Sequence, residues 1–144
     1  MATTTMNHAV PADRVARSRA LTVAAATVAA VAVWAISVPL LGVHLLVRFG
    51  TGATQSVGID YVAGATVLAS LAGWGVLALL ERRTARARTI WTGAALVVVL
   101  VSLSLPLTAG TTSSTTAVLA VMHVAVAAIL IPGLRRTSSA QNQG

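Results

Sequence analysis

The chain has 144 residues, of which 56% are hydrophobic and only 9% are Asp, Glu, Lys or Arg, and its formal net charge is +7. Soluble domains average about a quarter charged residues, and one of this size has too little interior to hide so much apolar surface, so a soluble globular fold is excluded and a bilayer-embedded one is indicated. There is no cysteine, which removes disulfides, thiol catalysis, iron–sulfur clusters and cysteine zinc sites.

Residues 1–19 open the chain with a polar or small stretch, "MATTTMNHAVPAD", followed by arginines. This is expected to be a disordered basic tail, so His8 within it receives no role. A membrane-spanning helix needs about 20 mainly apolar residues. Four segments meet that need, at about 20–43, 61–80, 90–107 and 116–134, and none contains Lys, Arg, Asp or Glu. Helices satisfy their own backbone groups in hydrocarbon, and these runs are too long for barrel strands. The first run exceeds the apolar core of a cleavable signal peptide and lacks a good small-x-small site after it, so it reads as a span. Residues 137–144, "TSSAQNQG", read as a second disordered tail. The expected architecture is an all-α, four-helix transmembrane bundle over residues 20–136, with a short extracytoplasmic β-hairpin between helices 1 and 2.

The arginines give the expected orientation. Arg14, Arg17 and Arg19 precede span one, Arg82, Arg83, Arg86 and Arg88 separate spans two and three, and Arg135 and Arg136 follow span four. An even number of spans puts these three clusters on one side and leaves Arg48 on the other. The positive-inside rule then places both termini in the cytoplasm of a multi-pass plasma-membrane protein. The basic charge is explained by topology and by anionic lipid headgroups, and no nucleic-acid partner is expected.

The polar insert "HLLVRFGTGATQSVGID", residues 44–60, interrupts this apolar chain. Folded about Gly52, it sets His44 opposite Asp60, Leu46 opposite Gly58 and Arg48 opposite Ser56. The alternate residues Val43, Leu45, Val47 and Phe49 then share a face with Gln55, Val57, Ile59 and Tyr61. That alternation predicts a half-buried hairpin, with "GTGAT" supplying the glycines of the turn. Its apolar face is expected to lie on the helix ends as a cap. A recognition surface or gate is the functional alternative. His44 and Asp60 are too few to make a metal site and read as a surface ion pair.

Few residues carry chemistry. His123 lies near the middle of span four, where an ionisable side chain is by default a functional candidate. One hydrogen bond, from Ser102, Ser104 or Thr27 on a neighbouring helix, would equally make it a packing residue. Glu81 ends span two and is expected to pair with Arg82 or Arg83 at the surface, a contact of small value. Ala65, Ala69 and Gly73 form a small-residue row expected to pack on Ala25, Ala29 and Ala32 of span one, or to form a homodimer face. Trp91 reads as an interfacial anchor, whereas the deeper Trp34 and Trp74 should face protein to satisfy their indole N–H groups. Pro39, Pro106 and Pro132 are expected to kink or end their helices. Ser-His-Asp, HExxH, Walker and dinucleotide-binding patterns are all absent from the sequence. The candidate polar residues are therefore His123, His44, Asp60, Arg48 and Glu81, with no catalytic, cofactor-binding or metal residue assigned and no cofactor expected.

The order and spacing of several motifs carry a resemblance. These are Trp34 with Pro39 and Gly42, Ala72-Gly73-Trp74 with Glu81-Arg82, Trp91 with Ser102, Leu105 and Pro106, and His123 with Leu130, Ile131 and Gly133-Leu134-Arg135. Over about residues 20–136 the chain resembles a family of small four-helix membrane proteins common in high-GC Gram-positive bacteria, catalogued as domain of unknown function 6069. The resemblance implies a bundle and a membrane but brings no activity. It also implies that the His44 position is often acidic. The expected function is structural or interaction work in the plasma membrane, as a scaffold, accessory subunit or lipid-contacting protein. Its partners would be the bilayer and a membrane protein or further copies of the chain. The alternative is an oligomeric transporter or channel for a small solute with His123 in the pathway. An enzyme is not expected.

Overall fold

A computed structural model describes residues 12–141, with side chains described from Asp13 to Ser138. Helix α1 (Ala12–Ala35) continues into a π-helical turn (Ile36–Leu40); β1 (Leu46–Val47) and β2 (Gln55–Ser56) form the hairpin; then follow α2 (Ile59–Arg83), α3 (Ala87–Ser102), the short α4 (Ser104–Ala109) and α5 (Ser113–Gln141). Four helical stretches, of 28, 25, 23 and 26 residues, are long and apolar enough to cross a membrane. At 1.5 Å per residue they reach roughly 35–42 Å, more than the ~30 Å of bilayer hydrocarbon. The expected all-α bundle with a hairpin between its first two helices is what the chain forms.

The helices run further at the basic end than the apolar segments alone suggest. α1 starts at Ala12, so Arg14, Arg17 and Arg19 lie on a helix and not in an unstructured tail. α5 continues to Gln141, with Thr137 and Ser138 buried. The remainder of the two expected tails, His8 included, lies outside the described residues.

Proline explains the interruptions. Pro39 has no N–H to offer Ala35, and the helix widens into its π turn there before Gly42, at φ +66°, turns the chain out of the helix. Pro106 withholds the donor that Ser102 would use, and α3 gives way to α4 at Leu103. Pro132 does not end α5, which runs through it.

α1 packs on α5 and α2, and α3 packs on α2 and α5. The buried stripe of α1 is Val15, Arg19, Val23, Ala26 and Ala30, spaced by three and four as one helix face requires. α5 approaches it at Gly133, where an added Cβ would lie 2.7 Å from Thr22 Oγ1 and 3.1 Å from Thr22 Cβ. Close backbone approach through small residues is how helices associate where lipid is as apolar as leucine. The expected small-residue contact between spans one and two is not formed: Ala65, Ala69 and Gly73 line a cleft instead, and α2 buries Val62, Ser70 and Leu77. The reason is rotational, because the buried stripe of α2 passes through Ser70 and Leu77 and turns the Ala65–Gly73 row away from α1.

The hairpin caps one end. Its register pairs Leu46 with Ser56 and Val47 with Gln55. That is a shift of two residues from the expected pairing, which keeps the inward parity: Leu45, Val47 and Val57 are buried. Ile59 and Tyr61 belong to α2 rather than to a strand and are exposed. Gly50, at φ +57°, provides the left-handed turn residue. The other edge of β1 is held by the α4–α5 connection, through Arg48 N–H to Ala109 O at 2.9 Å and Thr111 N–H to Leu46 O at 3.2 Å. Thr115 donates to His44 O at 3.0 Å, and Trp34 Nε1 donates to Val57 O at 2.9 Å. A lone two-stranded hairpin is marginal; this one is fastened to α1, α4 and α5.

Gly133→Ala should weaken the bundle by about 1–3 kcal/mol through overpacking against Thr22, whereas Gly64→Ala, whose added Cβ meets nothing within 4 Å, should be neutral or slightly stabilising. Unfolding in mixed detergent micelles checks this, and equal effects at the two positions would refute the close α1–α5 contact.

Candidate functional site

Two arrangements of polar residues stand out. The first clamps the basic end of the bundle. Arg19 on α1 is 4% exposed, and its Nη2 donates to Glu81 Oε1 on α2 at 2.6 Å while its Nε donates to Thr137 Oγ1 on α5 at 3.1 Å. Thr137 in turn donates to Leu134 O at 2.7 Å. Glu81 therefore pairs with Arg19, not with Arg82 or Arg83 as its neighbours in sequence suggest. A carboxylate at a helix C-terminus opposes the helix dipole, so Glu81 needs a cation facing it from another helix. The signal was present in the spacing. Arg19 lies four residues after Val15 and four before Val23, on the buried stripe, and Glu81 lies one turn beyond the buried Leu77.

The second is a cleft of about 550 Å³ bounded by α2, α3 and α5. α5 forms its floor with Met122, His123 and Leu130, and the Ala65–Ala69–Gly73 row of α2 and Ala94 and Val98 of α3 form its walls. Ala65, Ala69, Ala94 and Val98 are exposed, so its mouth opens sideways between α2 and α3. Buried clusters bound both ends. Leu45, Val57, Val62 and Met122 lie at the hairpin end, and Leu77, Trp91 and Leu134 at the basic end. Trp91 is 3% exposed and donates from Nε1 to Gly73 O at 2.9 Å, joining α3 to α2. It is a buried bridge, not the interfacial anchor its position suggested. Trp34 and Trp74 do face protein, Trp74 by packing on the cluster of Leu77, Trp91 and Leu134.

His123 lines this cleft, with Nδ1 2.7 Å from the carbonyl oxygen of Leu119 on its own helix. Its bond is thus not to Ser102, Ser104 or Thr27, which donate to Val99 O, Val101 O and Val23 O respectively. Hydroxyls in these helices repeatedly turn back on the carbonyl three or four residues earlier, the local way to satisfy them in hydrocarbon. Ser70 Oγ is buried without a partner among the described residues, outside the cleft lining.

The remaining candidates are not brought together. His44 stands opposite Gly58 in the observed register, while Asp60 lies in the first turn of α2, where a carboxylate complements the helix N-terminus. Arg48 locks the hairpin loop by donating from Nε and Nη2 to Thr54 Oγ1 at 3.2 and 2.9 Å. Among the described residues, no group of three or more His, Cys, Asp or Glu is placed to hold a metal ion.

Four apolar helices of spanning length, a fastened hairpin cap and a lateral cleft with a single histidine define a small multi-pass membrane bundle. The chain belongs to the family of unknown function DUF6069, whose sequence profile matches residues 10–140. No curated protein and no solved structure matches it.

Breaking the Arg19–Glu81 pair from one side should cost about 3–5 kcal/mol, as for other buried pairs. Glu81→Gln and Arg19→Met should each destabilise strongly, and the double variant much less than their sum. A double-mutant cycle measured by detergent unfolding tests this; single losses below about 1 kcal/mol would mark it as an ordinary surface pair.

Proposed function

We propose that the protein is an interaction or accessory component of the plasma membrane, with both termini in the cytoplasm, which receives an apolar guest sideways from the bilayer. The observation that carries this reading is the lateral cleft, apolar in its lining and bounded at both ends by buried clusters. A conduit would need a wet path along the bundle axis. Here the Thr66 and Ser102 hydroxyls that line the cleft are satisfied by their own helices, and the hairpin cap is fastened to three helices. The small-solute pathway is the second reading, favoured by the one observation that His123 lines the same cleft.

The absence of native cysteine makes single-site spin labelling direct. A nitroxide at Ala69→Cys in the cleft mouth should collide with oxygen as readily as one at Leu100→Cys on the outer face of α3, and should be shielded from a water-soluble nickel chelate. A nitroxide at Thr51→Cys in the hairpin loop should show the reverse. Nickel access at Ala69 matching that at Thr51 would replace the guest site by a hydrated pathway. In intact cells, a membrane-impermeant thiol reagent should reach Thr51→Cys and not Arg86→Cys; the opposite pattern would invert the orientation.

A further inference from the structure

We infer that the guest of this cleft is a neutral alcohol carried on a long or polycyclic hydrocarbon, recognised through its hydroxyl proton by His123. The inference rests on the guest-site reading above and adds the ligand's chemistry.

The argument is an inventory of donors and acceptors. The carbonyl oxygen of Leu119 can only accept, so His123 Nδ1, 2.7 Å away, carries the proton. In the neutral ring, the lone pair is then on Nε2, at the other edge of the imidazole. Thr66 and Ser102 also line the cleft, and their hydroxyl protons are given to Val62 O at 2.7 Å and Val99 O at 2.9 Å. What remains on both is lone pairs. Two other side chains of the lining carry donors: the indole N–H of Trp91 is engaged with Gly73 O, and the Tyr61 hydroxyl sits in the first turn of α2 at the hairpin end, five residues before Thr66. Away from Tyr61, His123, Thr66 and Ser102 therefore present acceptors, and a guest's polar group held at His123 must bring a donor. Ethers, esters and ketones bring none, and each would leave a desolvated acceptor facing another.

Depth narrows the class further. His123 lies near the middle of the Ser113–Ser138 spanning stretch, so a group held at the bilayer surface, such as a phospholipid headgroup, cannot meet it. A hydroxyl can be carried to that depth because one hydrogen bond compensates its desolvation, whereas an ionised headgroup cannot. The volume of about 550 Å³ lies in the range of small-molecule sites, about 300–1,000 Å³. From His123 to Leu130 is seven residues, about 10 Å along the helix axis, and an added Cβ on Gly73 would touch both Leu130 and Trp91. A hydrocarbon held at His123 can thus extend along the Ala and Val walls to the Trp91 ring.

Trp91 makes the test direct. The full chain in phosphatidylcholine nanodiscs is titrated with a long-chain primary alcohol brominated at its far end, and separately with the methyl ether of the same alcohol. Bromine at the end of the cleft quenches Trp91. Saturable quenching by the alcohol is expected at about tenfold lower mole fraction than by the ether, the ratio one hydrogen bond supplies. His123→Phe should abolish the preference, and Trp91→Phe should remove the saturable component. Equal saturable quenching by both probes in the wild-type chain would overturn the donor requirement while leaving the guest site standing. Quenching that rises linearly with either probe would overturn both. Exclusion of both probes together with disulfide-linked dimers of Ala69→Cys would show a second copy filling the cleft, and would overturn the inference.

Discussion

The contact between α1 and α5 sets the rest of the structure. Gly133 lets the two helices approach until Thr22 meets backbone, and the Arg19 guanidinium then reaches both Thr137 on α5 and Glu81 on α2. A buried guanidinium is tolerable only with its donors engaged. Satisfying Arg19 from two helices at once fixes their depth and rotation relative to α1. Three of the four spans are thereby locked at the basic end, and at the other end the hairpin is pinned by Trp34 of α1, Thr115 of α5 and the Ala109–Thr111 backbone between α4 and α5.

α3 has no comparable fixing. It is tied to α2 near the basic end by the Trp91–Gly73 bond and leads into α4 at the other through the Pro106 break. Between these points nothing large fills the space facing α5, because α2 presents Ala65, Ala69 and Gly73 there and α3 presents Ala94 and Ala95. The cleft follows from residue size: the helix with the fewest tertiary ties, opposite the smallest side chains, leaves a volume. Bilayer hydrocarbon could enter such a space at no hydrophobic cost, whereas water would favour its collapse.

Much of the fold was legible in the sequence. Span number follows from hydropathy alone, and the hairpin's place and inward parity follow from the alternation of Leu45, Val47 and Val57. What was not legible depends on rotation about helix axes. In spans so rich in Ala, Val and Leu, nearly every face is apolar, and amphipathic period cannot say which face looks inward. For that reason the Ala65–Gly73 row was set against the wrong helix and Trp91 was taken for an anchor. The two-residue register shift has a different cause: Asp60 favours the first turn of α2, so the helix starts at Ile59 and takes residues the second strand would have used. Arg19 was hidden by its company, since it resembles its exposed neighbours Arg14 and Arg17 and differs only in sharing a face with Val15 and Val23. Of the candidate site, the place of His123 near the middle of its span was legible, but its bond to the Leu119 carbonyl and its place in the cleft lining were not, because both depend on how the helices are rotated.

Together these features describe a frame of α1, α2 and α5 beside an apolar lateral cleft, which the proposed function reads as open to the bilayer. The most direct test of that account is native mass spectrometry of the protein released from lipid nanodiscs. The account predicts a monomer that retains one small neutral molecule, with retention lost in His123→Phe. A fixed oligomer that carries no small molecule would contradict it, placing protein rather than a guest in the space between α2 and α3.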